Sequence, residues 1–140
     1  MYKKIVVAVD GSETAQRALV EAENIAKTYN AALRIVHAIV LTMGGDLEAD
    51  KKTGQGIIDD AKSTVNLPNV ETQLLISESG FGLIGIIETI AAAVADWDAD
   101  LVVVGTANRR GLKRFLIGSV AEQLITQVDA SILLVRPTKA

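Results

Sequence analysis

Lys4-Ile5-Val6-Val7-Ala8-Val9-Asp10-Gly11-Ser12 decides how the rest of the chain is read. Residues 5–9 are an unbroken apolar run, which marks a strand buried on both faces; a strand with one wet face alternates instead. Asp10-Gly11-Ser12 is strong turn chemistry, and Ser12 is a good helix N-cap with Glu13 in the first turn, where an acid is favoured. Beyond it Ala15, Ala18, Leu19, Ala22, Ile25 and Ala26 fall on one helical stripe. A doubly buried strand that runs into an amphipathic helix begins a βαβ unit.

The pattern repeats outward. Leu33 to Val40, with His37 inside, Leu101 to Val104 and Ile132 to Val135 are further apolar runs. Val70 to Ile76 alternates in part, as a more exposed strand does. Ile86 to Trp97 reads as a helix, and Val120, Ala121, Leu124, Ile125 and Val128 as the face of a last one. Met43 to Gly56 is polar and dotted with glycine and reads as a mobile loop. The second helix is then expected around Gln55 to Val65, with Gly54 and Gly56 at its start. The order βαβαβαβαβ implies right-handed crossovers and a parallel sheet covered on both sides. Residues 1–140 are expected to form one domain.

Composition narrows the function. The chain has 140 residues, 49% hydrophobic and 4% aromatic, and 14 basic against 17 acidic side chains leave a net charge of −3. That balance speaks against a dedicated nucleic-acid surface, which needs a basic excess. With no cysteine, disulfide scaffolds, Cys-based zinc sites and thiol catalysis are excluded. No stretch approaches the ~20 apolar residues of a membrane span, and five apolar residues near the start are too few for a signal core. A cytoplasmic protein is expected.

In an open α/β sheet, ligands bind beyond the carboxyl ends of the strands, where the strand order reverses. Gly105-Thr106-Ala107-Asn108-Arg109-Arg110-Gly111-Leu112-Lys113-Arg114-Phe115-Leu116-Ile117-Gly118-Ser119 lies there, between the fourth strand and the last helix. Four of the 14 basic residues fall within 109–114. Gly105 and Gly118 offer bare backbone, Ser119 a hydroxyl at a helix start, and the four cations positive charge, which are the requirements of a phosphate site. Ser119 to Glu122 is also a capping box that needs no ligand, and a basic loop can simply be solvated. Asp10 is either an acceptor for a ribose hydroxyl or base amine, or the acceptor of its own Asx turn.

Taken together, Lys4 to Ser12, Ile35-Val36-His37-Ala38, and Ala99 to Gly105 leading into the glycine loop resemble a universal stress protein domain over residues 3 to 137. The resemblance implies a Rossmann-like fold of the adenine nucleotide alpha hydrolase type, an open five-stranded sheet in the order 3-2-1-4-5. It also implies stress-response function, a homodimer formed through the last strand, and ATP (or AMP or ADP) as ligand or switch, with Mg²⁺ carried by the phosphates. The family's G-x2-G-x9-G-[ST] pattern matches at Gly105, Gly118 and Ser119, with Asn108 at the second glycine. Asn is the residue after glycine that best tolerates a left-handed backbone. Carried onto this chain, adenosine is expected at Ala8, Val9, Asp10, Ala38 and Val104. The phosphates are expected at Gly105, Asn108, Arg109, Gly118, Ser119 and Val120. The alternative is a nucleotide-free dimeric interaction module that lost the ligand through Asn108.

Other motifs carry less. Gly80-Phe81-Gly82-Leu83-Ile84-Gly85 matches G-x-G-x-x-G, but it follows the third strand and lacks an acidic partner at the end of the next, so a dinucleotide site is not expected. His37 has no triad or metal company and reads as structural, and Trp97 as a packing anchor. No G-x4-G-K-[ST] is present, and the acidic cluster of a receiver domain is missing. With no general base near the phosphate end, any ATP hydrolysis is expected to be slow. Residues 131–135 leave an apolar edge that a second copy would cover.

Overall fold

A computed structural model describes residues 1–41, 44–77, 83–105 and 123–136. Five parallel strands, β1 (Lys4–Ala8), β2 (Ala32–Val40), β3 (Val70–Ser77), β4 (Leu101–Gly105) and β5 (Ser131–Val135), form one sheet in the order β3-β2-β1-β4-β5. Helices α1 (Glu13–Tyr29) and α2 (Leu47–Ser63) cover one face; α3 (Leu83–Trp97) and the helical residues 123–127 (α4) cover the other.

Alternation along each strand divides the core in two. Ile5, Val7, Leu33, Ile35, Leu101 and Val103 pack under α1 and α2 with Leu19 and Ala61. Val6, Val36, Leu75, Val102 and Val104 pack under α3 and α4 with Ile87, Val94 and Leu124. The inner strands need apolar side chains on both faces, hence the continuous runs, whereas β3 lies at an edge, alternates partly buried with exposed residues over its first half and becomes buried only at Leu75 and Ser77. Asp100, just before β4, ties the strand beginnings together. Its carboxylate accepts from Lys3 N at 2.8 Å and Lys4 N at 3.1 Å, its own N–H donates to Lys4 O, and its carbonyl accepts from Ser131 N.

The helix ends follow from local chemistry. Ser12 Oγ accepts from Ala15 N, and Asn30 closes α1 in the left-handed conformation with φ 56°. Asp98, φ 59°, does the same after α3. Glu23 braces α1 against the segment after α2, accepting from Lys27 Nζ at 3.0 Å and Asn66 N at 3.2 Å. The Lys27 bond, helped by the Asn66 N–H and opposed by burial, holds its carboxyl below the usual 4.5. A lowered folded pKa contributes stability above the unfolded value and loses it as pH falls through the folded one. Wild type is therefore expected to exceed Glu23→Gln in unfolding free energy at neutral pH, and the gap to close on acidification to about pH 2. Urea melts across that range check it.

Two expectations are corrected. Residues 47–56, read as loop, are the first half of α2, so that helix begins at Leu47 and not near Gln55. Asp46 caps it by accepting from Ala49 N at 3.1 Å. Gly54 sits mid-helix because a Cβ there would lie 2.9 Å from Leu74 Cδ1 and 3.2 Å from both His37 and Ile39, so its absence lets α2 press onto β2 and β3. In α4, Leu124 is buried but Ile125, assigned to the same stripe, is 67% exposed. The adjacent residue on a helix is turned about 100° away.

Candidate functional site

The order β2-β1-β4 puts the reversal between β1 and β4: the chain winds from β1 to β2 and β3 on one side, and from β4 to β5 on the other. The carboxyl ends there are stepped. Ala8 is level with Val36 and Val104, yet β2 continues to Val40 and β3 to Ser77. Four residues at ~3.3 Å each raise a wall about 13 Å high beside the end of β1.

Ala8, Ala38 and Val104 all turn to the α3 face. Ala8 and Ala38 are half-buried and carry only a methyl group, where Val6, Val36 and Val102 below them fill the layer. Side-chain volume on this face therefore falls toward the carboxyl ends of β1 and β2, where the surface is aliphatic. Asp10 follows at the rim, exposed, with one carboxylate oxygen accepting from Ser12 N at 2.9 Å. The Asx turn is thus made, and the second oxygen has no partner among the described residues. Gly11, with φ 84°, completes the turn into α1.

Val9 and Gly105 belong to the opposite face. Val9 N donates to Val36 O at 2.9 Å, and Val9 O accepts from His37 Nδ1 at 2.7 Å. A carbonyl only accepts, so Nδ1 carries the proton. His37 thereby holds the end of β1 against β2 and steadies the strand from which Asp10 projects; its structural reading stands. Gly105 has a structural cause that the sequence did not reveal. A Cβ there would fall 2.8 Å from Thr14 O and 2.9 Å from Thr14 C. Its bareness lets the first turn of α1 cross the end of β4.

Asn108, Arg109, Gly118, Ser119 and Val120, the expected phosphate residues, lie outside the described residues, as do Gly80 and Gly82. Gly85 is inside α3. A cavity of about 420 Å³ between α1 and α2 is lined by Val9, Ser12, Glu13, Gln16, Ile57 and Asp60 among others. It opens on the side of β1 away from Ala8, and its two acids oppose a phosphate. Trp97 packs at the far end of the sheet, between the Arg34 guanidinium at 4.3 Å and Lys4 Nζ at 5.7 Å from its ring centre. It is an anchor, as expected. Among the described residues there is no cluster of three or more potential metal ligands and no helix long and apolar enough to cross a membrane.

The family model for the universal stress protein family matches residues 1–136. This chain belongs to the universal stress protein family. A universal stress protein of Methanocaldococcus jannaschii is 30% identical over 149 residues, spanning 99% of this chain and 85% of that one. A putative one of Staphylococcus saprophyticus is 31% identical over 146 residues, spanning 96% and 84%. Among solved structures, a universal stress protein in complex with cAMP superposes with a TM-score of 0.76 at 21% identity, over 98% of this chain and 99% of its own. One from Archaeoglobus fulgidus in complex with dAMP gives 0.69 at 24%, over 96% and 98%. At such identities the structures speak for the fold, and the universal stress protein fold is the one described above.

Proposed function

We propose that this universal stress protein binds an adenine nucleotide, ATP foremost, as a ligand or switch in a cytoplasmic stress response. The observation that carries the reading is the aliphatic face of Ala8, Ala38 and Val104 beside Asp10, at the point where the strand order reverses. It suits a flat apolar base, with the Asp10 carboxylate as acceptor for a ribose hydroxyl. Two relatives of the same fold were solved with cAMP and dAMP, which supports the adenine class. The phosphates are assigned to Gly105, Asn108, Arg109, Gly118, Ser119 and Val120, with Mg²⁺ carried on them. The nucleotide is a ligand in this reading, not a substrate that the chain is built to turn over.

Protein purified from cells and precipitated with acid is expected to release ATP into the supernatant, seen by chromatography. Added Mg·ATP is expected to raise the melting temperature of the emptied protein. Gly118→Val is expected to abolish that shift and leave the fold intact. An empty supernatant together with no shift on Mg·ATP overturns the proposal in favour of the nucleotide-free module, which Asn108 in place of glycine would explain.

The reading extends to a homodimer. The edge strand β5 leaves Leu134 39% exposed beside Ile125, and an apolar groove of about 290 Å³ runs between them over Val128, Ala130 and Ile132. An uncovered apolar edge invites pairing with a second copy. Wild type is expected to elute as a dimer in light-scattering chromatography and Leu134→Lys as a monomer.

A further inference from the structure

We infer that Ser77 reads the exocyclic amine of the bound base, which makes the site selective for a 6-aminopurine; the inference rests on the nucleotide reading above. Ser77 ends β3 and is only 2% exposed. Its Oγ is the one buried side-chain polar atom without a hydrogen-bond partner among the described residues. Its backbone does not share the deficit, since Ser77 O accepts from Leu41 N at 3.0 Å. A buried hydroxyl with no partner costs about 1–3 kcal/mol, so such an atom calls for an explanation.

Its place in the sheet supplies one. Ser77 follows Leu75 by two residues, so both turn to the α3 face, where Ala8, Ala38 and Val104 also lie. Leu75 pairs with Ala38 and Ser77 with Val40, which sets Ser77 diagonally across from Ala38. One strand across and two residues along place the two Cα atoms about 8 Å apart. A base stacked on Ala38, with one hydrogen bond of about 3 Å beyond its edge, spans that interval. The wall of β2 and β3 thus ends in a hydroxyl on the same face of the sheet as Ala8, Ala38 and Val104. A hydroxyl both accepts and donates. Adenine presents an amine donor next to a ring-nitrogen acceptor, so Oγ can accept a hydrogen bond from the amine.

Calorimetric titration of wild type and Ser77→Ala with ATP and with purine riboside 5′-triphosphate, which lacks only the amine, tests the assignment. Wild type is expected to prefer ATP. Ser77→Ala is expected to bind ATP about 3–10-fold more weakly, to bind the purine analogue as wild type does, and to melt in the nucleotide-free state no lower than wild type. Equal ATP affinity for the two proteins overturns the inference and leaves the nucleotide reading standing. So does equal weakening toward both nucleotides, or a lowered melting temperature of the empty variant, either of which makes Ser77 structural. Failure of wild type to bind either nucleotide overturns the nucleotide reading itself.

Discussion

Gly105→Val is expected to lower the melting temperature by roughly 5–10 °C and to weaken nucleotide binding in the protein that remains folded. The cause lies in what the new side chain meets. At 2.8 Å from Thr14 O and 2.9 Å from Thr14 C, the first added carbon strikes backbone. Real Cβ contacts are essentially never that short, and neither β4 nor the capped start of α1 can yield alone. Overpacking of this kind costs about 1–3 kcal/mol, a large part of a total of ~5–15 kcal/mol. Relief requires α1 to lift from β4, and α1 starts at the turn that carries Asp10, so stability and affinity should fall together. Gly54→Ala is the control. Its nearest contact is Leu74 Cδ1, the end of a flexible side chain, and alanine within a helix gains about 1 kcal/mol over glycine. Its change in melting temperature should be much smaller. Equal losses at the two positions in calorimetric melts would contradict the close-approach account of Gly105.

Leu124→Ala is expected to cost about 2–5 kcal/mol, the usual range for a leucine removed from a closed core. Leu124 is 1% exposed and is the buried side chain of the described part of α4, packed in the cluster with Ile87, Val94 and Val102. Its loss loosens α4, and Gly118 and Ser119, the residues proposed to hold phosphate, come four to five positions before Gln123 in the chain, so nucleotide affinity should fall further than lost stability alone explains. Leu19→Ala supplies the comparison. Leu19, on α1, is equally buried, on the other face of the sheet. Matched denaturant melts with ATP titrations separate the two. Leu124→Ala should lose affinity at temperatures where both variants are fully folded, and Leu19→Ala should keep it.

Much of the fold was legible because burial on both faces leaves no choice of residue. The runs at 5–9 and 101–104 are apolar throughout for that reason, the run at 33–40 is broken only by Arg34 and His37, and β3, at an edge, alternates in part. Gly54 and Gly56 point to a later helix start because their helix propensity is low, but propensity yields to packing: at position 54 the helix lies close against His37, Ile39 and Leu74. The Asx turn at Asp10, the cap at Ser12 and the plain role of His37 were readable from local chemistry, because each depends on residues close in sequence or on missing company. Ile125 was assigned inward because an apolar residue next to Leu124 looks like core, although one helical step turns it to solvent.

The sequence alone determined the class of fold and the family, since hydrophobic period and turn residues are local properties. It also named Ala8, Asp10, Ala38 and Val104 as residues at strand ends. Only the tertiary structure decided that Ala8, Ala38 and Val104 share one face, that Gly105 yields to Thr14, and that Ser77 is buried with a free hydroxyl. Those facts depend on strand order and register, which bring together residues far apart in the chain. No local pattern encodes the close approach of positions 14 and 105, or the placing of 38 and 77 on one face of the sheet.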